Sequence, residues 1–172
     1  MVGATAARLL VLLGCVSAAA CAPRGLDPAV APAAPQLTPA TRQAVEADVR
    51  AYMGEVARAV SAQGPGAWRQ EFADGPEFFM ASDGQLVFED GAGAARGIEA
   101  LTHTLPKINL SFGSDLRVDV LTRGFAIVGA SYSELQGDAH GQEHTVRGYV
   151  TALAELHQGH WRLRDAHWSS RP

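Results

Sequence analysis

Asp165, His167 and Ser169 follow Trp161 and Leu163 at every second position of Trp161-Arg162-Leu163-Arg164-Asp165-Ala166-His167-Trp168-Ser169, the spacing of one face of a strand. A carboxylate near an imidazole on one face can hold the ring as a general base. Side chains at i and i+2 seldom bond each other directly, however, and the nucleophile of a triad would have to come from elsewhere, since Ser169 lies at the fraying end of the strand. The competing reading is a structural histidine bonded to a helix or loop carbonyl, because buried polar groups are paired. On either reading, an apolar face that continues into a polar triplet fits a sheet that is dry core at one end and pocket at the other. Trp168 then falls on the opposite face.

The remaining histidines offer less. His140 and His144 flank Gly141-Gln142-Glu143; on a helix that spacing would make a metal-binding face, but here it falls in a glycine-bearing hairpin loop, which reads as solvated. No metal and no cofactor is called for. His157 and His160 bracket a turn and are expected in water. Arg117 and Asp119 alternate with Leu116, Val118 and Val120, on an exposed face or on a pocket floor.

Strands and helices must hold these groups. Thr38-Pro39 reads as an N-cap with proline at the first helical position. Val45, Val49, Tyr52, Met53, Val56 and Val60 then recur at helical spacing until Gly64-Pro65. A short second helix is expected over 66–72, with Trp68 and Phe72 on one face, and a third over about 94–104, ending before Pro106. Phe78-Phe79-Met80 and Leu86-Val87-Phe88 flank Asp83-Gly84, a two-residue hairpin turn. Four more strands are predicted over 116–121, 125–135, 145–156 and 161–169. With Gln158-Gly159 as the loop of the last hairpin, Arg162 faces Glu155, Trp168 faces Tyr149, and Asp165 and His167 face Ala152 and Val150. Helices first and a meander afterwards imply an α+β domain with helices on one face of a curved antiparallel sheet.

The 172 residues are 47% hydrophobic and 19% charged, with formal charge −4, as for one globular core; no basic footprint for nucleic acid is present. Arg8, the apolar run from Leu9 and the small residues before Cys21 have the form of an export signal. Ala18-Ala19-Ala20-Cys21 resembles the lipobox of bacterial lipoproteins, in which the cysteine is lipidated; Leu12-Leu13-Gly14-Cys15 fits less well, and simple cleavage near Ala20 is the alternative. The expected organisation is a signal over 1–20, a Pro/Ala-rich linker over 21–38 and a domain over 39–170, exported and membrane-anchored in the cell envelope. Both cysteines lie at or before the cleavage point, so neither a disulfide nor a thiolate site is expected in the domain.

Trp68 and Phe72, Ser82-Asp83-Gly84, Gly97-Ile98-Glu99-Ala100, Phe125-Ala126-Ile127-Val128 with Tyr132, and Trp161-Arg162-Leu163 before His167-Trp168-Ser169 together resemble the nuclear transport factor 2-like superfamily, in particular its SnoaL-like and DUF4440-type domains. The resemblance covers about 41–169. It implies a cystatin-like cone of strongly bent sheet closed by three N-terminal helices, often dimeric, with a pocket at the wide end. Ketosteroid isomerases of this superfamily combine a carboxylate base with a tyrosine and a protonated aspartic acid, the neutral acid serving with the tyrosine as hydrogen-bond donor. Tyr52 and Asp83 could stand in two of those places, but the strand expected to supply the second acid reads Gly148-Tyr149-Val150-Thr151-Ala152-Leu153, so the set is incomplete. Turn formation and core packing are the plainer roles of Asp83 and Tyr52.

The expected site is therefore a pocket lined by Trp68, Tyr132, Asp165, His167 and Ser169. It would bind a small organic ligand or a protein partner. The alternatives are a small isomerase, dehydratase or hydrolase using Asp165 and His167 with Tyr52 or Tyr132 as donor, and a structural homodimer module.

Overall fold

A computed structural model describes residues 36–170. Cys21, the expected signal segment and most of the expected linker lie outside them. Among the described residues, no helix is long and apolar enough to cross a membrane.

Helix α1 (Pro39–Gln63) starts where expected, with the Thr38 hydroxyl accepting the Thr41 N–H at 3.1 Å and Pro39 in the first turn. Its stripe of Val45, Val49, Tyr52, Met53, Val56 and Val60 is buried, each side chain worth about 1.5–3 kcal/mol of transfer from water. A 3-10 turn (Gly64–Ala67) leads into the single turn α2 (Trp68–Glu71). Strands β1 (Phe79–Ser82) and β2 (Gln85–Phe88) form the first hairpin. Asp83 and Gly84 turn it with φ of 48° and 80°, the positive values that such tight turns demand. Helix α3 (Gly91–Thr104) is capped by the Asp90 carboxylate. A side chain at Gly97 would run into the Phe88 ring, so this glycine lets α3 close on the hairpin.

One strand is absent from the expectation: β3 (Lys107–Phe112), whose Ile108 and Leu110 are buried. It is followed by β4 (Arg117–Val120), β5 (Phe125–Gly137), β6 (Glu143–His157) and β7 (His160–Ser170). The seven-stranded sheet runs β2-β1-β7-β6-β5-β3, with β4 also on β5. All pairs are antiparallel except β1 with β7, which is parallel rather than part of the meander. β3 and β4 share one edge of β5. The break between them is held by Asp115, which accepts the Ser131 hydroxyl at 2.7 Å and its N–H at 3.1 Å. Helix α1 lies chiefly over β3 and β4 and is tied to them where Arg42 and Arg50 donate to the Val120 and Leu116 carbonyls, each at 2.7 Å.

The last hairpin turns at Gln158-Gly159 with φ of 51° and 84°, and Arg162 faces Glu155 as expected. The register then shifts. Ala154 pairs with Leu163 and Leu153 with Asp165, leaving Arg164 as an extra residue on β7. Beyond this bulge Trp168 pairs with Val150 and His167 with Thr151, one position from the expected register. Leu163, Ala166 and Trp168 therefore face the core, and Asp165, His167 and Ser169 face outward. A period of two carries no information about a bulge, and one extra residue moves every later side chain to the other face.

Candidate functional site

Between α2, α3, the β1–β2 hairpin and the concave face of the sheet lies a cavity of about 350 Å³. Trp68 and Phe72 stack at 4.9 Å between ring centroids. Trp168 stands edge-on to Trp68 at 5.7 Å and to Tyr132 at 4.8 Å, both at 80°. Phe88 from β2, Ile98 and Leu101 from α3, Leu105 just after it, Ile108 from β3 and Val146 from β6 complete the apolar wall.

Polar groups enter from two directions. Tyr132, Glu134 and Gln136 occupy successive inward positions of β5, and Asp83 with Ser170 borders the cavity from the hairpin and the end of β7. Ser170 donates its N–H to one Asp83 oxygen at 2.7 Å and its hydroxyl to the other at 2.9 Å. These donors, the backbone one first, hold the Asp83 carboxyl below the usual aspartate range. Glu134 moves the other way: burial raises its carboxyl, and a hydrogen bond from Gln136 and the nearby His144 offset this only in part. Burial also raises the Tyr132 phenol, and the charges of Glu134 and Asp83 push it further. The Tyr132 hydroxyl makes no hydrogen bond among the described residues. The site thus combines an aromatic cage, two carboxyl groups with different proton affinities and a phenol free to donate.

Of the residues expected in the pocket, Trp68 and Tyr132 are there, joined through Trp168. Asp165, His167 and Ser169 are not. Asp165 lies on the convex face opposite Leu153 and beside Phe79, where burial raises its carboxyl while Arg164 pulls it back. His167 is exposed, and the Ser169 hydroxyl donates to the Tyr149 carbonyl at 3.1 Å. An acid-base pair of Asp165 and His167 acting in the cavity is therefore excluded by the Arg164 bulge.

Tyr52 also lies away from the cone. Its hydroxyl donates to the Glu71 carbonyl at 3.0 Å, and burial, then the Glu71 charge, raise the phenol well above its usual value. It borders an open groove of about 750 Å³ beside the β6–β7 turn, where Asp48, Glu55 and Glu71 look across at Arg123 and Arg162. Arg162 is not paired with Glu155 but with Asp74, at 3.1 Å.

The loop after β5 is closed by the Asp138 carboxylate, which accepts the His140 and Gln142 N–H groups at 2.8 Å, while Glu143 pairs with Lys107. Among the described residues no three His, Cys, Asp or Glu side chains converge as a metal site. His157, His160, Arg117 and Asp119 are exposed. Glu134 and Gln136 escaped the sequence reading, although a signal for them exists: they continue the inward parity of Ala126, Val128, Ala130 and Tyr132.

No protein-family model matches the sequence, and no curated protein is significantly similar to it. Solved structures are similar in fold. A nuclear transport factor 2-like superfamily protein from Salmonella enterica serovar Typhimurium superposes with a TM-score of 0.58 at 15% identity, covering 77% of this chain and 92% of its own. A hexachlorocyclohexane dehydrochlorinase, LinA type 2, gives 0.59 at 13% identity over 78% of this chain and 90% of its own. A protein with a cystatin-like fold from Caulobacter vibrioides gives 0.57 at 14% identity, over 73% and 89%. With its helices packed in the hollow of a bent seven-stranded sheet, the chain has the nuclear transport factor 2-like, cystatin-like cone fold.

Proposed function

We propose that this domain binds a small, mainly apolar organic molecule inside the cone. The observation that carries the reading is the cavity itself: about 350 Å³ walled by aromatic and aliphatic side chains, with the unpartnered Tyr132 hydroxyl in it. Ligand sites are commonly about 300–1,000 Å³ and combine such walls with a few orienting polar groups. The similar dehydrochlorinase is an enzyme by name, but one fold hosts many functions, so the residues of the site must carry the argument.

The three tryptophans make the test direct. Trp68 and Trp168 line the cavity and Trp161 does not, so Trp161→Phe leaves only the two fluorophores of the site. Small aromatic and aliphatic solutes are expected to change the emission of this variant and raise its unfolding midpoint. A panel of neutral, cationic and anionic solutes that moves neither signal overturns the reading.

Two further parts of the proposal concern partners and location. Phe79, Ile127 and Tyr149 are exposed on the convex face, where Ile127 sits opposite Leu153. This apolar surface supports self-association through the sheet. The Ala18-Ala19-Ala20-Cys21 junction and the Pro/Ala-rich segment after it support export and anchoring by lipid on Cys21.

A further inference from the structure

Five aromatic side chains, Trp68, Phe72, Phe88, Tyr132 and Trp168, line the cone together with two carboxyl groups, Asp83 and Glu134. Among the described residues that line it there is no lysine, arginine or histidine. We propose that the ligand is an organic ammonium cation with an apolar body, held by the aromatic rings and by the Asp83 and Glu134 carboxylates. This assignment rests on the small-molecule reading of the cone and narrows it to one chemical class.

Three kinds of ligand can be compared physically. An anion would enter a cavity that already holds two acidic groups and, among the described residues, offers it no cation, so repulsion and desolvation act together against it. A neutral molecule would displace water from Glu134 without replacing its solvation. A cation gains at both points. It neutralises carboxylates that lack a basic partner in the cavity, and its charge is attracted to the negative faces of aromatic rings within about 6 Å, tryptophan best of all. The rings are suitably arranged: Trp68 and Tyr132 each meet Trp168 at 80°, so the walls of the cage stand at right angles around Trp168.

The negative field is already felt inside the cavity. Burial is the main cause of the raised Tyr132 phenol, and the charges of Glu134 and Asp83 add to it. The nearest imidazoles lie at its margins. His144 is exposed opposite Gln136, and His167 is exposed on the convex face within electrostatic reach of Asp83.

The test uses isothermal titration of the full chain with benzyltrimethylammonium, its neutral carbon isostere neopentylbenzene, and benzylsulfonate. The ammonium is expected to bind about tenfold or more tightly than the isostere, with no binding of the sulfonate. Glu134→Gln and Asp83→Asn should each reduce that preference while neopentylbenzene still binds, which also verifies that the variants are folded; asparagine tolerates the positive φ of position 83. If neopentylbenzene binds as tightly as the ammonium, or the preference survives in the double variant, the cation assignment falls and the small-molecule reading stands. If none of the three binds, both fall.

Discussion

Ser170 reaches across 87 positions of sequence to give both its N–H and its hydroxyl to Asp83, at 2.7 and 2.9 Å. This clamp fixes the β1–β2 turn against the end of β7 at the mouth of the cavity. It also sets a pH dependence. The Asp83 carboxyl is held below its ordinary value of 3.8, so its contribution to stability is complete above that value and is lost as the pH falls through the depressed one. Unfolding midpoints of wild type and Asp83→Asn are therefore expected to differ by a constant amount from neutral pH down to the ordinary aspartate range, and to converge in more acidic solution. A gap that widens on acidification would contradict the clamp.

Arg164 is the extra residue of β7, and neither its side chain nor its position is needed to keep Trp168 in the core. Its ion pair with Glu155 is long, at 3.9 Å, and its guanidinium lies 5.9 Å from the centre of the Phe125 ring. Arg164→Ala should cost about 1 kcal/mol or less by chemical denaturation. Deleting Arg164 leaves a regular ladder with Asp165 still opposite Leu153 and Trp168 still opposite Val150, so the deletion should likewise cost little. A deletion variant that loses about 3–5 kcal/mol, as when the later core side chains are turned over, would disprove the bulged register.

Val146 projects into the cavity from β6. Val146→Phe places its added atoms in open space, so the loss of stability should stay below the ~1–3 kcal/mol of overpacking a filled core. Solute-induced changes in Trp68 and Trp168 emission should nevertheless disappear. Unchanged solute binding in a folded Val146→Phe protein would locate the ligand elsewhere.

On the convex face, Ile127 is 39% exposed between Leu153 of β6 and Asp119 of β4. If two copies join through this surface, Ile127→Asp should weaken self-association by about tenfold or more in sedimentation experiments, since a charge would be buried there without a partner. A wild-type chain that remains monomeric at all accessible concentrations would remove self-association from the proposal.

Cys21 is expected to carry lipid. Cys21→Ser should move the protein from the membrane to the soluble fraction of cells, and mass spectrometry of the wild-type mature chain should find an acylated N-terminal cysteine. A mature chain with an unmodified N-terminus at another residue would leave simple signal cleavage as the account.

Much of the fold is written locally. The helical spacing from Val45 to Val60, the Thr38-Pro39 start, and the Asp83-Gly84 and Gln158-Gly159 turns each depend on residues a few positions apart, where propensity and periodicity act directly. β3 was missed: Ile108, Leu110 and Phe112 alternate, but so short a run after Pro106 gives no strong local signal. The contents of the cavity depended on longer relationships. Trp68 and Tyr132 could be assigned to it from their elements, whereas Asp165, His167 and Ser169 were exchanged for Trp168 and Ser170 by the single unpaired Arg164. Asp83 looked like a turn residue and is one; its place at the cavity mouth follows from the parallel pairing of β1 with β7, which no local pattern encodes. Sequence spacing determines which side chains share a face of one strand, but only the pairing of distant strands decides where that face points and what stands across from it.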